Sequence, residues 1–228
     1  MVQKTRKPPS AAKTGGGQID GRKIDGPVAP KRRGRPRAYE PDVALGKALD
    51  LFRNNGFAAT SLDDLSAATG MNRPSLYGAF GDKRELFIKS YQRYRDNART
   101  AMVDIFRSEA PLKQRLARIY AIALDIYTEG ESPRGCFTVM TAASEAVADP
   151  IIRGMVMEGL AELDKAFATC FRVAKERGEL PESADPTTLA QLASATIHTI
   201  AIRARARVPR KELEAIVKGA IEVMAGTK

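Results

Sequence analysis

The stretch TSLDDLSAATGMNRPSLYGAFGDKRELF, Thr60 to Phe87, constrains this chain more than any other. Ser61 followed three positions later by Asp64 is a helix-start signature, in which the serine side chain accepts from a first-turn amide. Leu62 and Leu65 give the short helix that follows an inner face, and Gly70 allows the tight turn that ends it. Asn72 is placed to cap a second helix. Pro74 falls in its first turn, where a missing N–H leaves no intrahelical bond unmade. Leu76 and Phe80, at i and i+4, turn inward with Met71, and Arg73, Ser75 and Tyr77 are left facing out. Asp82 and Glu85 repeat the capping signature and open a much longer helix. Two short helices at a glycine turn also build plain hairpins in bundle cores, but a second helix presented this way fits the DNA major groove.

The preceding residues favour the DNA reading. Asp42 to Asn55 forms an amphipathic helix with Leu45, Ala48, Leu49 and Phe52 at i, i+3, i+4, i+7. It stops at Gly56, a C-cap residue, with Phe57 placed to pack back on the helix end. Three helices of this size make one small head whose second and third members form a helix-turn-helix.

On these residues the chain resembles the TetR family of one-component bacterial transcriptional regulators. The resemblance is close from Arg35 to Phe87: GRPR, a first helix, then GFAATSLDDLSAATGMNRPSLYGAFGDKRELF. Its most specific tract runs from Leu76 to Leu86. Carried over by position, Ser61, Arg73, Pro74, Ser75 and Tyr77 correspond to residues that touch DNA, and Lys83 to a phosphate contact at a helix start; Asn72, the expected cap, and Arg35 and Arg37, directly before the head, complete the DNA-binding candidates. The chain departs from the family pattern at Ser66 and Thr69, where alanine is usual, and at Gly78 and Ala79, where larger polar side chains are frequent. The latter departure shifts the burden of recognition toward Arg73 and the arm.

Charge is distributed to match. Of the net charge of +10, residues 1–37 carry +9, from eleven Lys and Arg against Asp20 and Asp25. A basic tail on a near-neutral body points to an anionic polymer as partner. Residues 1–34 are rich in Pro and Gly and nearly empty of apolar side chains, the composition of a segment disordered in isolation. Its end, KRRGRPR at 31–37, is similar to an AT-hook core, whose extended arginines suit a narrow minor groove; a non-specific phosphate-binding arm is the other reading. No apolar run could serve as a signal-peptide core or a membrane span, so the expected location is the cytoplasm, without membrane contact.

The remainder, residues 82–228, reads as helices separated by short breaks: 82–107, Pro111 to Glu129, Cys136 to Val147, Pro150 to Arg177, 186–206 and 209–225. With no alternating strand pattern, the expected fold class is all-α, with a basic tail at 1–34, a head at 35–81 and a helical body at 82–228. In the last two helices Leu213, Ile216, Val217, Ala220, Ile221 and Met224, and Leu189, Leu192, Ala193, Thr196, Ile197 and Ile200, follow helical apolar spacing. The resemblance implies a homodimer joined through these helices, and a body that receives a small-molecule effector. Met102, Phe106, Tyr120, Leu124, Tyr127, Phe137, Met140, Phe167 and Phe171 are the expected pocket walls, and Thr141 and Ser144 the polar groups beside them.

Chemistry beyond binding finds little support. Cys136 and Cys170 lack a CxxC arrangement and read as buried thiols. The single histidine, His198, sits on an apolar helix without ligand neighbours, so no metal and no cofactor is expected. One histidine, no nucleophile elbow and no phosphate-cradling glycine loop leave an enzyme without residues. The run Arg203, Arg205, Arg207, Arg210, Lys211 reads as a solvated helix end. Two functional classes remain: a ligand-responsive repressor on a palindromic operator in double-stranded DNA, and an architectural AT-rich DNA binder relying on the RGRPR arm.

Overall fold

The computed structural model describes residues 40–130 and 133–226; the basic tail, Arg35 and Arg37 lie outside these. Among the described residues there are ten helices and no strand. They are α1 (Pro41–Asn55), α2 (Leu62–Thr69), α3 (Arg73–Phe80), α4 (Lys83–Arg107), α5 (Leu112–Thr128), α6 (Phe137–Ala143), α7 (Glu145–Ala148), α8 (Pro150–Glu176), α9 (Pro186–Arg205) and α10 (Arg210–Ala225). The all-α class expected from the sequence is what folds. Boundaries differ by a residue or so, as at α1, where Pro41 rather than Asp42 comes first because proline needs no intrahelical donor there.

One expected helix is wrong. Cys136 to Val147 is not continuous: α6 ends at Ala143 and α7 begins at Glu145, with Ser144 at φ −123° and ψ −81° between them. The Ser144 hydroxyl lies within hydrogen-bond reach of the Met140 carbonyl and the Glu145 carboxylate. It thereby offers the backbone a local alternative to the helical ladder.

The start of α4 is fixed by a reciprocal capping box, in which the Asp82 carboxylate accepts from the Glu85 amide and the Glu85 side chain accepts from the Asp82 amide. From there α4 runs about 37 Å at 1.5 Å per residue and serves two cores. Its first turns close over Phe52, Leu65, Leu76 and Phe80 of α1–α3, all buried. Its later turns carry Tyr91, Tyr94 and Met102 into the larger bundle, where α4 packs on α5, α6 and α8. The described residues therefore fall in one compact unit.

Arginines reinforce the join between α1 and the bundle. Arg53, near the end of α1, is 6 % exposed. Its Nη2 donates to the Ile126 carbonyl at 2.8 Å, and its guanidinium lies 5.3 Å from the centre of the Tyr94 ring. Arg205, at the end of α9, donates to the carbonyls of Arg53 and Asn54, capping the otherwise unpaired end of α1. Gly135 makes room for this packing: its φ is +64°, and a Cβ there would stand 2.7 Å from the Ala201 carbonyl oxygen.

A second joint ties the start of α4 to the start of α8. Arg84 donates from Nε and Nη2 to the two oxygens of Asp149, at 2.5 and 3.0 Å, and Asp149 also caps α8 by accepting from the Ile151 and Ile152 amides. The Arg84 guanidinium, then the two amides, hold the Asp149 carboxyl down at about 2. A carboxyl lowered in the folded state stabilises above its ordinary value of 3.8, and that contribution is lost as pH falls toward about 2. In acid unfolding curves, wild-type stability should therefore fall more steeply across this interval than that of Asp149→Asn.

The end of α9 holds the only positive φ at a non-glycine among the described residues, Arg207 at 63°. It occupies the left-handed position of a Schellman-type end, where the Val208 amide donates to the Arg203 carbonyl at 3.0 Å and the Arg207 amide to Ala204 at 2.8 Å. A side chain there costs about 1–2 kcal/mol, partly offset by the larger entropy glycine would lose on folding. Arg207→Gly should raise stability by roughly 0.5–1 kcal/mol, seen as a higher denaturant midpoint at unchanged slope.

Candidate nucleic-acid interface and effector body

The unit α2–turn–α3 is held by local hydrogen bonds at each bend. Ser61 caps α2 by accepting from the Asp64 amide at 3.1 Å, and Asp64 accepts from the Ser61 amide at 2.8 Å. The Ser61 hydroxyl and amide together lower the Asp64 carboxyl. Gly70 ends α2 in the left-handed conformation, φ 73° and ψ 13°. The Thr69 hydroxyl donates to the Leu65 carbonyl at 2.6 Å and accepts from the Met71 amide at 3.2 Å, so this departure from alanine stitches the turn. Asn72 caps α3 by accepting from the Ser75 amide at 2.9 Å.

Met71, Leu76 and Phe80 are buried beneath α3, and Asn72, Arg73, Pro74, Tyr77 and Gly78 are exposed above it, with Ser75 half-buried. Arg73 and Tyr77, one turn apart, share the outward face. Gly78 has open space where a side chain would stand. Lys83 is the first residue of α4, and its Nζ rests 4.3 Å from the centre of the Phe57 ring, on the same end of the molecule as the capped N-terminus of α4.

Nothing in the spacing of residues indicates that Arg73 is engaged. Its Nε and Nη2 both donate to Asp63 Oδ1 of α2, at 3.1 and 2.7 Å, which raises the guanidinium pKa. Asp63 sits on the exposed side of α2, where a solvated charge is the ordinary expectation, and only the helix crossing brings the two together.

The residues expected to line a pocket divide between two aromatic clusters. Phe137 meets Phe87, Tyr91 and Tyr94 edge-on, with centroids 5.4, 5.8 and 5.7 Å away. Beside it the Tyr94 hydroxyl donates to Cys136 Sγ at 3.5 Å, and burial pushes the hydroxyls of Tyr94 and Tyr127 well up. In the second cluster Phe167 packs against Phe106, Tyr120 and Phe171 at 5.1, 6.3 and 6.5 Å. The Tyr120 hydroxyl donates to the Ala193 carbonyl at 3.1 Å, and burial raises its pKa. Met102 is buried and Met140 half-buried. Leu124 is buried too, and reaches the floor of an outer groove between α5 and α10. Thr141 is fully buried on α6, and its hydroxyl has no hydrogen-bond partner among the described residues; the same holds for the buried Ser194 hydroxyl on α9. Ser144 instead serves the break after α6.

The apolar stripes of α9 and α10 divide between the two readings open to them, internal packing and an outward face. Leu213, Val217, Ile221 and Met224, with Ala193, Ile197 and Ile200, are buried within the chain. The outward apolar face takes Leu192, Thr196, Ile216 and Ala220 from the edge of those stripes and adds Ala195, Thr199, Gly219 and Val223, and together they line a groove of about 290 Å³. Periodicity marked an apolar face without showing that each helix carries two.

The basic run after α9 is exposed throughout, as expected, and two of its arginines are also engaged within the chain. Arg205 holds the end of α1, and Arg210 pairs with Asp125 at 2.7 Å and with Glu214 at 2.9 Å. Both cysteines are buried and free. Burial pushes the Cys170 thiol up, against the nearby Arg115 guanidinium. Burial also lowers His198, against the Asp164 carboxylate. Among the described residues no group of three or more His, Cys, Asp or Glu is placed to hold a metal ion, and no helix is long and apolar enough to cross a membrane.

Comparison with known proteins agrees with this geometry. Residues 44–89 match the family described as bacterial regulatory proteins, tetR family, and residues 113–220 match the tetracyclin repressor-like C-terminal domain. The chain is 32% identical over 176 residues to the HTH-type transcriptional repressor ComR of Escherichia coli (strain K12), a match covering 77% of this chain and 84% of that protein. It is 26% identical over 159 residues to the uncharacterized HTH-type transcriptional regulator YezE of Bacillus subtilis (strain 168), covering 69% of this chain and 82% of that one. Among solved structures it is similar to a cysteine mutant of the TetR family transcriptional regulator CifR complexed with 26 bp double-strand operator DNA, with a TM-score of 0.74, 29% identity, and coverage of 83% of this chain and 98% of that chain. The chain belongs to the TetR family of bacterial transcriptional regulators.

Proposed function

We propose that this chain is a ligand-responsive repressor that binds a palindromic operator as a homodimer. The observation that carries this reading is α3: a capped helix with a buried underside and an exposed row of Arg73, Pro74 and Tyr77. In this reading α3 enters the major groove, with Ser61, Asn72 and Ser75 at its margin and Lys83 at a phosphate beside the N-terminus of α4. The tail, residues 1–34, with Arg35 and Arg37, supplies non-specific or minor-groove attraction. The head is residues 35–81, and residues 82–228 receive the effector and dimerise. The protein acts in the cytoplasm as a regulator and not as an enzyme.

Two features support the regulatory half. The Thr141 and Ser194 hydroxyls lie in a largely apolar body without partners, and an effector with polar atoms would satisfy them. The mechanical link is short, since α4 starts at the DNA end and continues past the Phe137 cluster. A tilt of α4 would therefore alter the spacing of two heads that must match grooves about 34–36 Å apart.

Dimerisation falls to the outward stripe of α9 and α10, where Gly219 and Ala220 permit close approach. Val223 is 78% exposed in the single chain, so Val223→Glu should leave its fold intact. In sedimentation the wild type should run as a dimer and the variant as a monomer. Duplexes recovered from a randomised pool should be palindromic for the wild type, and the variant should bind them more than about tenfold more weakly. Broad AT-rich recovery without a palindrome would favour the architectural reading.

Effector and operator must also oppose each other. A molecule that weakens operator binding is itself bound more weakly when operator is present, by the same factor. Titrating an apolar candidate molecule with and without the selected duplex should give two different affinities. Equal affinities exclude that molecule as an inducer acting through DNA affinity.

A further inference from the structure

The ion pair on the outer face of the helix-turn-helix has a directional consequence. A guanidinium offers two hydrogen-bonding edges: a side edge from Nε and Nη2, and an end edge from Nη1 and the second Nη2 hydrogen. In Arg73 the side edge is taken by Asp63 Oδ1, at 3.1 and 2.7 Å. The end edge has the spacing that pairs with O6 and N7 of guanine in the major groove. The pair is exposed, with side chains 54% and 77% accessible, and among the described residues Asp63 is the hydrogen-bond partner of the Arg73 guanidinium.

We propose that Asp63 is the specificity-determining partner of Arg73, holding its guanidinium so that the end edge meets one guanine in each half-site. This rests on α3 acting as the base-reading helix. Two physical effects follow from the placement of Asp63. The arginine is oriented before it meets DNA, so less side-chain freedom is lost on reading the right base. When Arg73 turns away to a phosphate, as a loosely bound complex would require, Asp63 is left as an unpaired carboxylate near the DNA backbone. That repulsion penalises complexes lacking the guanine, which is discrimination by an unfavourable element rather than by an added attraction. A carboxylate on a DNA-facing surface otherwise only weakens binding.

Asp63→Asn tests this with little disturbance to the fold, because the α2 cap is made by Ser61 and Asp64 and the substitution conserves volume. The probes are a duplex selected by the wild type from a randomised pool and a scrambled duplex of equal composition. Asp63→Asn should lower the ratio of selected to scrambled affinity by roughly tenfold, largely through tighter scrambled binding, and should flatten the preference for guanine at a single position of each half-site. Arg73→Ala should lower the ratio at least as far, and the double variant no further than Arg73→Ala alone. An equal change of Asp63→Asn on both duplexes, or an unchanged ratio, overturns the proposal. If Arg73→Ala also leaves the ratio unchanged, Arg73 is a phosphate contact and the base-reading assignment falls with it. If Arg73→Ala lowers the ratio and Asp63→Asn does not, only the role of Asp63 fails.

Discussion

Phe87, near the start of α4, is the contact on which the arrangement of this chain depends. Its ring meets Phe52 of α1 at 5.2 Å, Phe57 of the following turn at 5.2 Å and Phe137 of α6 at 5.4 Å, each nearly edge-on. Each such pair contributes about 0.5–1.5 kcal/mol beyond the area it buries. One side chain thus belongs at once to the core beneath the recognition helix and to the body. A displacement of Phe137 or of α4 would be passed to the packing under α1, because the same ring contacts both.

Polar contacts reinforce that aromatic joint without replacing it. Arg53 reaches from α1 to the Ile126 carbonyl and the Tyr94 ring, Arg205 returns from α9 to the end of α1, and Arg134 pairs with Asp50 at 2.6 Å. Arg84 with Asp149 binds the start of α4 to the start of α8. Charged groups at such a boundary fix angle and register more than they add stability, since an exposed pair gains little against water. The arginines carry this joint because a planar guanidinium can serve two or three carbonyls at once.

The DNA face follows another economy. Its rigid parts are local: Ser61 with Asp64, Thr69 across the turn and Asn72 at α3 all bond within a few residues. Such bonds span only three or four residues, so they shape the helix-turn-helix from within its own sequence. The orientation of Arg73 is different, because its partner Asp63 is ten positions away and on another helix.

That contrast marks the division between what was legible in the sequence and what was not. Capping residues, glycine turns and 3.6-residue periodicity act over one or two turns, and they determined the all-α class, the helix-turn-helix, its buried underside and the near limits of most helices. Where a short-range competitor entered, as at Ser144, the same local reading missed the break, since a serine inside an apolar run carries no unambiguous signal. The tertiary structure alone decided which of two apolar stripes on α9 and α10 faces outward. It alone split the expected pocket residues between the Phe137 and Phe167 clusters, made Arg205 and Arg210 structural, and joined Arg73 to Asp63. Each of these depends on how helices cross, and the crossing is set by the summed packing of many side chains rather than by the spacing of any few.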